Sequence, residues 1–382
     1  MSRPSSREAY FDNAKFIIGC LVFIGHAFTW IDLGRWFTAF EAMGSSFRMP
    51  VFAFLVGYFS QGFLRSTGRA RRLIAKIALA YLIFDLLYQM LDAFLGLRPF
   101  EFSPLAPYTH LWFLTAMFLW RGSAPIWWQM KYPFAVSVFV SLVAGLSEMG
   151  IFTKILSMLP FFVLGLMIKR EHFDVLRRPS VRVAAVGVLL AEFALLAALV
   201  GRFDGRDFFR ALWNRSYKVA EFGPLFGPGL RFLAIFGTIA VGASILALIP
   251  TRAGFVSRLG SRSLYMYVLH YGIIRVCLAL GVFKFVPSGN LGAVITVATC
   301  VALGVVLCSR PTQLVFRNLL EPPTDWLFRA RRKPTRPQTP QPAARTAPKP
   351  HPIPSPSPPL DAPPLDASPT RTTPDRTPRP VK

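Results

Sequence analysis

The chain has 382 residues, of which 53% are hydrophobic, 14% aromatic and only 16% charged, too few polar groups to cover a water-soluble globule of this size, so a membrane class follows. The formal net charge of +24 does not point to nucleic acid, because the basic residues fall in short loops between apolar runs and in the C-terminal tail, not on one continuous patch. Cys20, Cys277, Cys300 and Cys308 all lie in apolar runs without metal-ligand spacing, so neither a disulfide framework nor a redox compartment can be inferred.

Crossing a hydrocarbon core of about 30 Å takes about 20 helical residues, and apolar runs of roughly that length recur from Ala14 to Arg310. The predicted spans are residues 14–31, 47–64, 73–95, 108–121, 133–148, 152–168, 181–201, 229–249, 262–282 and 290–310. They describe an all-α, polytopic transmembrane bundle of about ten helices within residues 1–320, the fourth to sixth being short enough to be tilted or re-entrant. The first run contains Lys15 and His26 and is not followed by a small-residue cleavage site, so a retained helix is expected instead of a signal peptide. Alternate loops carry fifteen basic residues on one side and eight on the other, which predicts that both termini are cytoplasmic; a multi-pass protein of the plasma membrane is expected. Residues 334–382 hold 17 of the 33 prolines. The segment 333–382 is therefore expected to be a disordered, partly polyproline cytoplasmic tail.

Ionisable groups inside a membrane helix cost about 2.5 to 3.5 kcal/mol each on insertion scales, which makes them functional candidates. In the first span, eleven residues separate Lys15 from His26, about 1100° at 100° per residue, so the two share a face to within about 20°. Asp12 lies about 40° to the other side, three residues from Lys15 and able to orient it. A cation at the cytoplasmic mouth and an imidazole beyond mid-membrane outline a pathway, and a neutral imidazole can take a proton from an alcohol. Alone, such a histidine is equally read as a hydrogen bond to a neighbouring helix. Arg48, in the second span, stays protonated and cannot act as a base; it either holds an anion near the outer mouth or snorkels to the interface. Arg65, Arg69, Arg71, Arg72 and Lys76 follow that span and are explained by topology alone. His110 and Trp112 open the fourth span as belt residues or acceptor contacts, and Tyr267 lies one turn before His270 on the same side of the ninth. The outer loop 201–229 mixes aromatic and hydrogen-bonding groups as an interfacial lid or an acceptor contact. His172 and His351 receive no role, and no His/Cys/Asp cluster has metal-ligand spacing.

DNAKF with Gly25-His26, FRMPVFAFLVGYFS at 47–60, HLWFL at 110–114 and LYMYVLH at 264–270 together resemble the acyltransferase 3 family, especially its fucose 4-O-acetylase-like branch, over roughly residues 7–310. The resemblance implies an O-acyltransferase that moves an acyl group, expected to be acetyl, from cytoplasmic acyl-CoA to a hydroxyl of a glycan, a lipid-linked sugar or a similar acceptor. It has no tightly bound cofactor, acetyl-CoA being a co-substrate, and its partners are membrane lipid and the acceptor. By position, His26 matches the essential histidine of the family, serving as general base or transient acyl carrier, and Lys15 matches the basic residue eleven before it. Arg69, Arg71 and Arg72 match a donor-side cluster, for which the bidentate guanidinium suits the phosphates of coenzyme A. Arg48-Met49-Pro50 and Val56-Gly57-Tyr58 depart from the family's histidine-Met-Pro and Ser-Gly-Tyr. The reading from a different class is an exporter of a glycan or lipid intermediate, whose substrate path the same polar stripe would line.

Overall fold

A computed structural model describes residues 6–62, 67–101, 103, 105–202 and 204–327. Arg65, the side chains of Arg69, Arg71 and Arg72, and the tail expected over 333–382 lie outside the described residues. All regular structure among the described residues is helical.

The first helix, α1 (Ser6–Phe28), is the most enclosed of the long apolar helices. The apolar stretch of α1 is 72% buried, against 17 to 44% for the other long apolar helices, because side chains on every face of α1 meet another helix. Next in the chain are α2 (Arg35–Ser60), which packs on α1, and α3 (Thr67–Phe94), which packs on α4. A single 3-10 turn, Thr109–Leu111, leads into α4 (Trp112–Gln129), followed by α5 (Pro133–Ala144). The predicted sixth span divides into α6 (Ile151–Ser157) and α7 (Leu159–Met167), after which α8 (Arg170–Leu176) turns away by 100°. Pro160 sits in the first turn of α7, where its missing N–H costs nothing. Then come α9 (Pro179–Leu199), the short α10 (Gly205–Asn214) and α11 (Phe226–Leu248). Helices α12 (Phe255–Gly260), α13 (Ser263–Ala279), α14 (Gly289–Leu307) and α15 (Arg310–Leu320) complete the bundle.

By length and composition, five of these helices can cross a membrane, or six if the bent run from α6 to α8 is one span. The difference from the expected ten is physical. Helix α2 begins at Arg35, twelve residues before its predicted start at 47, because Glu41, Ser45 and Arg48 satisfy one another inside the bundle, Ser46 donates to the Glu192 carboxylate, and the helix can continue through a polar stretch. Helix α4 runs to Gln129, past the predicted end at 121, and α13 is shorter than the span expected for it. The outer loop 201–229 contains α10, capped by the Asp204 carboxylate accepting the Asp207 N–H at 3.0 Å.

Two local devices set the inner geometry. Gly57 of α2 and Gly165 of α7 lie against the backbone of the opposite helix, where a Cβ would overlap Phe162 O or Phe54 O. Small residues there allow the close approach that drives helix association in lipid. Pro50 interrupts the ladder of α2 and removes the N–H that would reach Ser46 O; Thr238 of α11 donates its hydroxyl to that oxygen at 3.2 Å instead. Position 48 thus lies two residues before a proline whose gap is filled.

Candidate functional site

His26 is half-buried near the last turn of α1 and lines a cavity of about 150 Å³. Gly25 beside it leaves room for Arg48, whose guanidinium lies where a Cβ at 25 would be. Arg48 makes a bidentate pair with Glu41, both N···O distances being 2.7 Å, and also donates to Ser45 Oγ and Leu21 O at 3.1 Å. Glu41 is 1% exposed. The snorkelling alternative for Arg48 is therefore corrected, because the guanidinium turns inward to a carboxylate that lies outside the predicted span.

The rest of the cavity wall comes from three helices. Helix α4 brings Trp112, α6 brings Lys154, and α10 brings Arg210, Trp213 and Asn214. The Lys154 ammonium stands 4.2 Å from the centroid of the Trp112 ring. Arg210 donates to Thr29 Oγ1 at 3.1 Å, and burial, together with nearby Arg206, pulls its guanidinium below the usual range. Trp213 Nε1 and Asn214 Oδ1 are buried with no hydrogen-bond partner. Helix α10 is fixed from beneath by the fully buried Arg231, which donates to Leu212 O at 2.6 Å, Ser141 O at 2.9 Å and Arg215 O at 3.1 Å, with Tyr217 packed on its guanidinium.

Behind His26 lies a layer of rings. His270 and Tyr271 of α13 each approach the His26 ring to 5.3 Å between centroids. His110 follows, stacked on Tyr271 at 4.7 Å and 5.5 Å from His270. His270 Nδ1 faces Tyr267 O at 2.8 Å and Met266 O at 3.0 Å, which makes it the N–H nitrogen and leaves Nε2 as the acceptor. His110 Nε2 faces Val268 O at 3.3 Å. The remaining nitrogens, His270 Nε2 and His110 Nδ1, are buried without partners. His110 is only 3% exposed and Trp112 only 7%, so the interfacial-belt alternative is corrected for both. The 3-10 turn that carries His110 is clamped from α3: Asp85 accepts the Tyr108 N–H at 2.7 Å, and Asp92 accepts the Tyr108 hydroxyl at 2.6 Å while pairing with Arg275.

A second cavity, of about 300 Å³, enters from the other end of the bundle. Lys15, Lys76 and Arg121 line it together with Phe52, Val56, Leu264 and Phe113, and Tyr267 lies on its wall. Lys15 pairs with Asp12 at 2.6 Å. Tyr267 donates its hydroxyl to His110 O and its ring lies 6.3 Å from that of His270. The two cavities thus meet α1 at different levels, Lys15 in one and His26 in the other.

Of the residues singled out in the sequence, His26, Arg48 and Trp112 share the first cavity, Lys15 and Tyr267 line the second with Asp12 bound to Lys15, and His110 and His270 line neither, His270 packing against His26 and both lying beside Tyr267. Glu41, Lys154, Arg210, Trp213 and Asn214 were missed. Lys154 carried a readable signal, a charge inside the apolar run 152–168; Glu41 lay outside every predicted span. Among the described residues no group of three or more His, Cys, Asp or Glu is placed to hold a metal ion. The model of the Acyltransferase domain family, acyltransferase 3, matches residues 8–309. No curated protein and no solved structure matches the chain.

Proposed function

Because the chain belongs to the acyltransferase 3 family of acyltransferases, we propose that it is an O-acyltransferase whose donor enters at the Lys15 end and whose acceptor hydroxyl reaches His26 from the other. The observation that carries this reading is the pair of cavities approaching one ring layer, one with a basic mouth and an apolar interior, the other polar with an imidazole on its wall. A long thioester with a phosphorylated head matches the first; a hydroxyl compound matches the second.

Lys15, Lys76 and Arg121 meet the phosphates of coenzyme A, joined by Arg69 and Arg72 from the segment after α2, and the pantetheine arm lies along Phe52, Val56 and Phe113 toward Tyr267. His26 takes the proton of the acceptor hydroxyl, the oxygen attacks the thioester carbon, the C–S bond breaks, and the departing thiolate accepts the proton. His26 performs this directly or carries the acyl group between the two halves of the reaction. Arg48, fixed by Glu41, faces the oxygen that becomes negative as the tetrahedral intermediate forms. His110, His270 and Trp112 hold the reacting groups in register. The fucose 4-O-acetylase-like branch, acetyl as the transferred group, a glycan or lipid-linked sugar as acceptor, the plasma membrane and cytoplasmic termini complete the reading, on the motifs and the distribution of basic loops. Nothing among the described residues favours an exporter.

The test is His26→Ala against wild type at matched membrane levels, measuring acyl groups on cell-surface glycans and export of the unmodified glycan. Loss of a general base costs roughly 10² to 10⁴ in rate, so acylation should fall below detection while export continues. Unchanged acylation would take His26 out of the reaction.

A further inference from the structure

Resting on the acceptor role just proposed for the cavity over His26, we infer that this cavity is built for an acceptor carrying a carboxylate or phosphate near the hydroxyl to be acylated, with Lys154 and Arg210 as its counter-charges. Three cations reach the wall and only one is neutralised there. Arg48 is matched by Glu41 in both hydrogen bonds. Lys154 meets the Trp112 ring, and no carboxylate of the described residues lies within ion-pair distance of it. Arg210 has Asp207 at 3.7 Å, but that carboxylate is 66% exposed and screened by solvent.

Like charges gathered on the wall of a partly desolvated cavity repel one another and are tolerated where a ligand supplies the opposite charge. A second, independent observation points to a ligand in the same place. Trp213 Nε1, a donor, and Asn214 Oδ1, an acceptor, are buried on this wall without partners, and unpaired buried polar atoms are uncommon unless something outside the chain completes them. A donor and an acceptor on residues of one cavity wall suit hydroxyl groups, and an ammonium and a guanidinium on the same wall suit an anionic oxygen. Cations placed only to stabilise the developing oxyanion would serve any alcohol alike; a counter-charge for the acceptor distinguishes charged sugars from neutral ones.

The experiment uses the full chain in nanodiscs of phosphatidylcholine and follows tryptophan fluorescence during titration with glucose, glucuronate and glucose 6-phosphate at fixed pH and ionic strength. At least one charged sugar should half-saturate at a concentration tenfold or more below glucose, and the tighter of the two identifies carboxylate or phosphate as the group recognised. Lys154→Met should erase that preference and leave glucose unchanged, whereas Lys154→Arg should keep it. Equal binding of all three sugars, no binding of either charged sugar, or a Lys154→Met chain that weakens glucose as much as the charged sugars would overturn the inference. His26→Ala should preserve the preference while losing transfer. If that variant still transfers acyl groups, the proton acceptor has been misassigned and the charge preference stands on its own.

Discussion

The carboxylate of Glu41 and the guanidinium of Arg48 are held on one helix, seven residues apart, with almost no access to water. A buried pair of this kind adds little net stability over an apolar pair, yet removing one member strands the other charge at about 3 to 5 kcal/mol. Glu41→Gln should therefore lower the melting temperature of the purified protein and the transfer rate together. Glu41→Gln combined with Arg48→Met should melt nearer to wild type than the single change while remaining slow, which separates the fold from the chemistry; a double variant that melts below the single one would contradict this. Lys15 is different. Its ammonium is 29% exposed and Asp12 orients it, so Lys15→Met should raise the KM for acyl-CoA by roughly 10 to 100-fold, the value of one or two charge-assisted hydrogen bonds, with a smaller change in kcat. The sequence disclosed Lys15 and His26 because isolated charges stand out within an apolar run. It hid Glu41, because an acidic residue surrounded by Ser45, Ser46 and Arg48 reads as loop until the partner that buries it is known.

Helix α2 carries its polar face into the bundle because its other face meets α7 through Gly57 and Gly165. Gly165→Leu must push the two helices apart or break their rotamers, at about 1 to 3 kcal/mol by the usual cost of overpacking. Since Arg48 lies on the same rigid α2, acyl transfer should drop more steeply than thermal stability, with binding of acyl-CoA at the far end less affected; equal losses in all three would argue against a positioning effect. Helix α10 illustrates the limit of reading elements from patterns. It is ten residues long, amphipathic and set in a predicted loop, and its place over His26 depends on Arg231, an arginine in the first turns of α11 whose three acceptors are carbonyls of distant segments. No local spacing announces such a strut. The long apolar helices α3, α9, α11 and α14 were legible to within a few residues at most of their ends, since length and hydropathy alone define them, and so were the outer limits of the sixth span, whereas the start of α2 and the break between α6 and α7 were not, since Glu41 lies outside every apolar run and Pro160 inside one.

At the scale of the whole molecule, the family match spans residues 8–309, and the cavities described draw only on residues up to Glu321. Deleting residues 334–382 should accordingly leave kcat and KM within about twofold of wild type in vitro, a difference of about 0.4 kcal/mol; loss of transfer on deletion would move the tail into the reaction. The placing of Lys15 and His26 at different levels of α1 has an electrical consequence. In the proposed reaction a proton passes from the hydroxyl to the thiolate while the acyl group, formally an acylium, passes from the thiolate to the alkoxide, so the exchange carries no net charge however far apart the two mouths lie. A drop of 100 mV weighs about 2.3 kcal/mol on one net elementary charge that crosses the whole field and nothing on a balanced exchange. Proteoliposomes under a potassium diffusion potential should therefore acylate at the same rate at either polarity, and a rate that changes with the sign of the voltage would mean that the proton of the hydroxyl and the proton of the thiol belong to opposite compartments.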